Sequence, residues 1–230
     1  MKKLLAATFV ALLMVGCGGP DLDDTETLDG FIAEAIDKST LQKRGQKGEE
    51  LRYAPNEQTP YTGWVKEMHD NGQIERLGQI KDGKQDGLLI GWYENGQKGL
   101  EGNFKDGKPD GLVTSWRENG QKKEEINFKD GKKDGLMTSW YENGQKMEEV
   151  NYKDHKAEGL WTKWYPNGQK ELEGSYKEGK PMSAVIWKFN GEKCPVTNLK
   201  DGNGVVVYYN LDGTEDFRIT YKNGESQGRD

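Results

Sequence analysis

The chain has 230 residues, of which 33% are apolar and 31% charged, and its net charge at pH 7 is −6. An aromatic content of 10% is too high for a disordered chain, and the 31 glycines show no Gly-X-Y period, which excludes collagen. Two cysteines and two histidines argue against a zinc site or a disulfide framework. The acidic balance argues against a nucleic acid partner, which needs clustered lysine and arginine.

The first seventeen residues predict an export leader. Lys2 and Lys3 precede a twelve-residue apolar run over 4–15, which is shorter than the roughly 20 residues of a membrane-spanning helix. The following Met-Val-Gly-Cys sequence resembles a bacterial lipobox. This resemblance implies cleavage before Cys17, lipidation of its thiol, and, with Gly18 next, sorting to the outer membrane of a host that has one. The alternative is an ordinary secretory leader with an incidental cysteine.

Two short segments separate the leader, residues 1–16, from the rest of the chain. Residues 17–39 are acidic at first and predict a tether, with a possible amphipathic helix from Thr25 to Asp37 because apolar residues recur there at helical spacing. Residues 40–61 alternate β-like pieces with turn residues and predict an N-terminal β cap.

Residues 62–226 repeat with a period of 24. The dipeptide Asn-Gly starts at 71, 95, 119, 143 and 167, and the sequence Lys-Asp-Gly-Lys starts at 81, 105 and 129. These turn signals divide the region into seven units: 62–85, 86–109, 110–133, 134–157, 158–181, the short 182–202, and 203–226. Pro195 and the reduced length predict a bulge or an irregular edge in the sixth unit.

Within each unit apolar and polar residues alternate with a period of two, which predicts two strands and two turns. If Tyr93 lies opposite Gln97, one face carries an apolar ladder. We therefore predict a three-residue type I turn with a G1 bulge at both edges of the sheet. The expected fold is all-β, an elongated single-layer antiparallel meander of about fourteen strands. The ladder comprises Leu88, Ile90, Trp92, Leu100 and Phe104, and the other face carries Gln97, Glu101 and Asn103.

The repeated sequence resembles a known family. Gly-Leu-x-x-x-Trp-Tyr-x-Asn-Gly-Gln-Lys followed by Phe/Tyr-Lys-Asp-Gly-Lys is similar to the MORN-repeat variant of the bacterial YwqK family of antitoxins, over about 62–226. The resemblance implies a protein that binds another protein, which for an antitoxin is a toxin. It implies no enzymatic activity, because the shape of a repeat array supplies no chemistry of its own.

No catalytic site, metal site, cofactor or small-molecule substrate is predicted. His69 and His155 are far apart in sequence, and His155 replaces a turn glycine. The carboxylate pairs, such as Glu124 and Glu125, recur with the repeat and are interpreted as a solvated face. Cys194 is left as a free thiol or as one end of an intermolecular bridge.

One row of aromatic residues is the candidate binding site. Its members share one repeat position: Trp92, Trp116, Trp140 and Trp164. Their rings either pack as the thin core of the sheet or bind a partner, and both roles are compatible. We predict a lipid-anchored, non-enzymatic protein of the bacterial cell envelope that binds a protein partner. The alternative is an envelope lipoprotein that binds peptidoglycan or acts as a scaffold.

Overall fold

The computed structural model describes residues 25–229, so the leader and the predicted lipidation site Cys17 lie outside the described residues. Helix α1 spans Thr25–Glu34, within the segment where the sequence predicts a helix. It belongs to a unit that ends at Glu34, whereas all the strands belong to a second unit that begins at Ala35. Over residues 25–229, no helix is long and apolar enough to cross a membrane.

The second unit is built from strands and one 3-10 turn at Lys38–Thr40. In chain order the strands are β1 (Ile36–Asp37), β2 (Gln42–Arg44), β3 (Leu51–Tyr53), β4 (Gly63–Met68), β5 (Ile74–Lys81), β6 (Lys84–Trp92), β7 (Lys98–Lys105), β8 (Lys108–Trp116), β9 (Lys122–Lys129), β10 (Lys132–Trp140), β11 (Lys146–Lys153), β12 (Lys156–Trp164), β13 (Lys170–Lys177), β14 (Lys180–Ile186), β15 (Gly204–Tyr209), β16 (Glu215–Lys222) and β17 (Glu225–Arg229).

The strands form a meander of tandem hairpins, as the sequence predicts. Strands β4 to β14 follow one another antiparallel in one sheet, and β1 adds a short parallel strand at its edge. Strands β2 and β3 form a separate hairpin, and β15 to β17 form a third sheet.

The expected run of about fourteen strands is interrupted in the short sixth unit. After β14 ends at Ile186, the chain makes only two isolated bridges before β15 begins. Pro195 has no N–H to donate to a ladder, and the unit is shorter than its neighbours. The predicted irregular edge is confirmed at this place.

The turns at the Asn-Gly edge have the predicted geometry. The N–H of Gly96 donates to the carbonyl of Tyr93 at 2.9 Å, and the N–H of Tyr93 donates to the carbonyl of Gln97 at 2.9 Å. Gly96 has a φ of +80°, the left-handed conformation of the bulge position in this turn. The prediction of a type I turn with a G1 bulge is confirmed at this edge.

The prediction for the Asp-Gly edge is wrong. Lys105 pairs directly with Lys108, so the loop has two residues, and both have positive φ: +50° at Asp106 and +81° at Gly107. This is the type I′ pattern, whose backbone twist matches that of the strands it joins. Asp tolerates the left-handed region better than most side chains. His155, with a φ of +68°, takes the glycine position of this turn.

The predicted distribution of side chains between the two faces is also wrong. Trp92 pairs with Lys98, but Gly91 pairs with Leu100, so Gly99 is an extra residue that forms a β-bulge. A shift of one residue moves every later side chain of that strand to the other face. Ile90 therefore lies opposite Glu101, on the same face, while Leu100 and Phe104 lie on the other face.

Two faces result, and each combines apolar and polar residues. The tryptophan face carries Trp116, Thr114 and Leu112 with their repeat equivalents, together with the lysines and glutamates paired beside them. The opposite face carries a different apolar row at successive cross-strand positions: Leu89, Val113, Ile126, Met137, Val150 and Trp161.

The core lies mainly on the opposite face. Met137, Val150 and Ala157 form one buried cluster, and the ring of Trp161 packs on that of Tyr176 with centroids 4.7 Å apart. A second cluster joins Leu172 and Ile186 of the large sheet to the valines of β15, Val206 and Val207, among others. The C-terminal sheet is therefore fixed by apolar packing on the last strands of the meander.

The turn glycine Gly96 provides a test of backbone conformation alone. A Cβ added there would meet no atom within 4 Å, so the positive φ is the main cost of a side chain. We expect Gly96→Ala to lower the free energy of unfolding by about 1 kcal/mol, measured by urea denaturation. Gly91→Ala is the control, because Gly91 has no positive φ and the nearest atoms would be 3.7 Å away. Equal losses in the two variants would contradict the turn assignment.

Candidate functional site

The four predicted tryptophans lie in one row on the tryptophan face. Each ends a strand, and each side chain is half-buried: Trp92, Trp116, Trp140 and Trp164. Neighbours lie on every second strand, two strand spacings apart, so the row repeats about every 10 Å. The structure thus brings together the residues that the sequence singles out.

Hydrogen bonds from side chains to backbone carbonyls hold the main chain in place at each tryptophan. A side chain from the preceding unit donates to the tryptophan carbonyl, over 2.7–2.9 Å in every case: His69 to Trp92, Tyr93 to Trp116, Arg117 to Trp140, Tyr141 to Trp164 and Tyr165 to Trp187. His69 therefore links two units, and its ring Nε2 is used by this contact.

Above the tryptophan rings lies a row of ammonium groups. The Nζ of Lys98 lies 5.7 Å from the ring centroid of Trp116, and the same contact recurs for Lys122 with Trp140 and Lys146 with Trp164, both at 5.9 Å. At this distance a cation is attracted by the aromatic face. The rings are thus partly covered by lysine side chains from within the array.

The same lysines are paired with glutamates three residues later. The Nζ to Oε distances are 2.7 Å for Lys98–Glu101, 2.6 Å for Lys122–Glu125 and 2.5 Å for Lys146–Glu149, and Lys170 contacts Glu173 in the same way. Sequence reasoning missed this row, although the repeated Lys-x-x-Glu spacing was a usable signal. The bulge brings the lysine and the glutamate onto one face.

Beside these pairs runs a stripe of exposed leucines. Leu112, Leu136 and Leu160 occupy one repeat position and are 46%, 41% and 53% exposed, whereas the threonines two residues later are buried. The stripe therefore runs parallel to the tryptophan row, nearer the Asp-Gly edge, with the threonine row between the two. Sequence reasoning placed these leucines in a packed ladder, and the structure leaves them largely in solvent.

The opposite face carries half-buried carboxylates among tyrosines. Trp161 donates its ring N–H to Oε1 of Glu148 at 2.6 Å. Burial, with the nearby charge of Glu148, raises the pKa of Glu171 against the lowering effect of Lys163. Over residues 25–229, no group of three or more histidine, cysteine or acidic residues could hold a metal ion.

The other two residues considered in the sequence analysis, His155 and Cys194, make hydrogen bonds within the fold. Nδ1 of His155 accepts the N–H of Lys133 at 3.1 Å, which stabilises the turn. Cys194 is a free cysteine and is buried, with Sγ 3.0 Å from the hydroxyl of Tyr209. Burial opposes ionisation of this thiol, but hydrogen bonds from Thr197 and Tyr209 outweigh it and lower the pKa of Cys194.

Buried tyrosines should make the protein sensitive to alkali. Burial raises the pKa of both Tyr165 and Tyr208 to about 12, whereas a tyrosine in an unfolded chain ionises near 10. The folded state thus retains these protons longer, so this contribution to stability is present below pH 10 and is lost as the pH rises towards 12.

We therefore expect the free energy of unfolding to fall above pH 10, by an amount on the order of 1 kcal/mol for each such tyrosine. Urea denaturation at several pH values measures it. Tyr208→Phe should have the shallower pH dependence, because one titrating group is removed while the lysines remain. An unchanged slope in this variant would contradict the assignment.

Comparison with known proteins identifies the repeat. Residues 109–130, 133–154 and 157–178 each match the family model described as MORN repeat variant. No curated protein matches the chain significantly. The three matched segments span β8 to β13 and contain Trp116, Trp140 and Trp164 together with all three residues of the leucine stripe. This central part of the array is therefore composed of tandem MORN-variant repeats.

Proposed function

We propose that the protein is a non-enzymatic binding protein of the bacterial cell envelope, held at the membrane by a lipid on Cys17, and that it binds a protein partner through the tryptophan face. The single observation that carries the binding role is the exposed stripe of Leu112, Leu136 and Leu160 beside the tryptophan row.

The argument rests on the regular arrangement of apolar surface. Exposed apolar residues on a protein surface are usually scattered singly and need no explanation. Here they recur at one repeat position, about 10 Å apart, next to half-buried tryptophans. The glutamates of the lysine–glutamate pairs lie opposite the threonines between the two apolar rows, so the face alternates apolar groups with paired charges.

The resemblance to antitoxins of the YwqK family suggests the class of partner. An antitoxin masks a toxin by covering its surface, and an extended face with many equivalent positions suits that role. Export to the envelope places such a partner outside the cytoplasm, as in an envelope-directed toxin. The repeated, mutually paired charges of the tryptophan face favour surface recognition over chemistry on a substrate.

The test compares the leucine stripe with an exposed leucine elsewhere. The triple substitution Leu112→Ser, Leu136→Ser and Leu160→Ser removes the stripe, whereas Leu211→Ser removes a leucine that is 64% exposed in the C-terminal hairpin. The mature wild-type protein is used to capture partners from envelope extracts, and each captured protein is purified and titrated against all three proteins.

We expect a partner that binds wild type and Leu211→Ser equally and the triple variant at least about tenfold more weakly, with thermal stability unchanged. Equal affinity for all three proteins would reject the tryptophan face as the binding surface. Sedimentation with insoluble peptidoglycan, in the absence of any captured protein, would instead support a glycan-binding role for the aromatic row.

A further inference from the structure

One hollow in the surface of the array is lined by both apolar and charged side chains. It lies on the opposite face, at the Asn-Gly edge of the 86–109 unit, and its volume is about 540 Å³. Its lining includes His69, Arg76, Leu89, Tyr93, Leu100 and Glu118. Arg76, Gly91 and Leu100 are direct cross-strand neighbours, so the floor of the hollow spans three adjacent strands.

Two glycines that depart from the repeat pattern create the hollow. Gly91 stands where the next two units have Ser115 and Ser139, and Gly99 stands where they have Lys123 and Met147. In the 134–157 unit Ser139 is only 4% exposed, so the equivalent space is filled there. At Gly91 a Cβ would make only ordinary van der Waals contacts, the nearest at 3.7 Å, so the position accepts a side chain without a clash.

The hollow combines apolar walls with an acidic rim. Leu89, Leu100 and the ring of Tyr93 form the walls, and this ring packs about 3 Å from where a Cβ at Gly99 would lie. The carboxylates at the rim are Glu75, Glu94 and Glu118. They outnumber the cationic groups of the lining.

The two basic groups of the lining already have partners. The guanidinium of Arg76 lies 3.6 Å from the carboxylate of Glu75 and 4.0 Å from that of Glu67. His69 is hydrogen-bonded through Nε2 to the carbonyl of Trp92. The charge left to attract a ligand at this rim is therefore negative.

We propose that this hollow is an anchor pocket for a partner protein, which inserts one apolar side chain between Leu89, Leu100 and Tyr93 and places an adjacent lysine or arginine at the acidic rim. The volume of the hollow lies within the range found for pockets that bind small ligand groups. Buried apolar anchors of this kind contribute most of the affinity of many interfaces. Trp92 also lines the hollow, but the leucine stripe does not, so the triple leucine substitution leaves this site unchanged and the two proposals are tested separately.

The experiment uses three capped dipeptides as probes: acetyl-Phe-Lys-amide, acetyl-Phe-Glu-amide and acetyl-Ala-Lys-amide. Each is titrated into the ¹⁵N-labelled chain that begins at residue 25, compared with the full mature chain, and the backbone amide shifts of Gly91, Gly99 and Tyr93 are followed. The double substitution Gly91→Ser and Gly99→Met is designed to fill the pocket. The 134–157 unit already contains this combination beside a tyrosine, as Ser139, Tyr141 and Met147.

The control variant is Met147→Lys, which copies Lys123 into the neighbouring repeat position and leaves the hollow unchanged. We expect acetyl-Phe-Lys-amide to shift the three amides in a saturable way in wild type and Met147→Lys. Its affinity should exceed that of either other dipeptide by about fivefold or more. In the double variant binding should be lost, while the amide of Val150 keeps its position as evidence of an intact fold.

Absence of saturable shifts in wild type would overturn the proposal, as would equal binding of the lysine and glutamate dipeptides. Unchanged binding by a folded double variant would also overturn it. If the double variant does not fold, Gly91→Ser alone replaces it, since Ser at this repeat position is present in two other units. Retained affinity in that single variant would then count against the pocket.

Discussion

Replacement of Gly174 by alanine should lower the free energy of unfolding by about 2–3 kcal/mol, the upper part of the range for overpacking. Gly174 lies in β13, opposite Trp161 on one side and Ala184 on the other. A Cβ at Gly174 would lie 2.7 Å from the backbone carbonyl oxygen of Ser183. The carbonyl belongs to the adjacent strand and cannot move away without disturbing the ladder. Urea denaturation measures the loss.

Gly102 is the matched position three units earlier, and it should respond less to alanine. Its Cβ would meet the methyl Cγ2 of Val113 at 2.7 Å, a side-chain atom that rotation about χ1 can move. The sister residues Ile126 and Val150 at first suggest that Gly102→Val is tolerated. The structure argues against this, because a valine would have to displace Val113 as well.

We therefore expect Gly102→Ala to cost clearly less than Gly174→Ala, by at least about 1 kcal/mol, and Gly102→Val to cost more than Gly102→Ala. Equal losses at Gly102 and Gly174 would show that the Ser183 carbonyl is free to shift, and would contradict the explanation given for Gly174.

Replacement of Cys17 by alanine should transfer nearly all of the protein from the membrane fraction to a soluble or unprocessed form. The reason is that several acyl chains on one residue anchor a protein far more firmly than surface contacts do. Detergent phase partitioning of cell extracts measures the change. This expectation comes from the leader sequence, because Cys17 lies outside the described residues.

Cys194 supplies the matched control for this experiment. Its thiol is buried and remote in sequence from the leader, so Cys194→Ala should leave the protein in the membrane fraction. If Cys17→Ala still partitions into detergent as the wild type does, the lipid anchor is excluded.

The repeat and its hairpins can be predicted from the amino-acid sequence alone. The 24-residue recurrence of Asn-Gly and Asp-Gly marks the turns, and period-two alternation marks the strands between them. The geometry of the Asn-Gly turn also followed, because a glycine at the bulge position and a proline at Pro166 both favour a type I turn. These features are local, because the residue types within each turn determine its conformation.

Which side chains share a face depends on the strand register of the folded sheet. The bulge at Gly99 is occupied by Lys123, Met147 and Glu171 in later units, so no residue type marks it in the sequence. One extra residue there reverses the orientation of the strand that follows. The apolar pattern could not reveal this, because both faces of each strand carry apolar residues.

The same bulge explains why the arrangement of residues around the two proposed binding surfaces could not be predicted. The bulge brings the paired lysine and glutamate onto the tryptophan face, where the lysine lies over a tryptophan ring. On the same face Leu136 of the leucine stripe remains exposed. The glycines at 91 and 99 are visible in the sequence as departures from the repeat. Both glycines line one hollow because of the register of three adjacent strands. This register is selected by packing and exists only in the folded sheet.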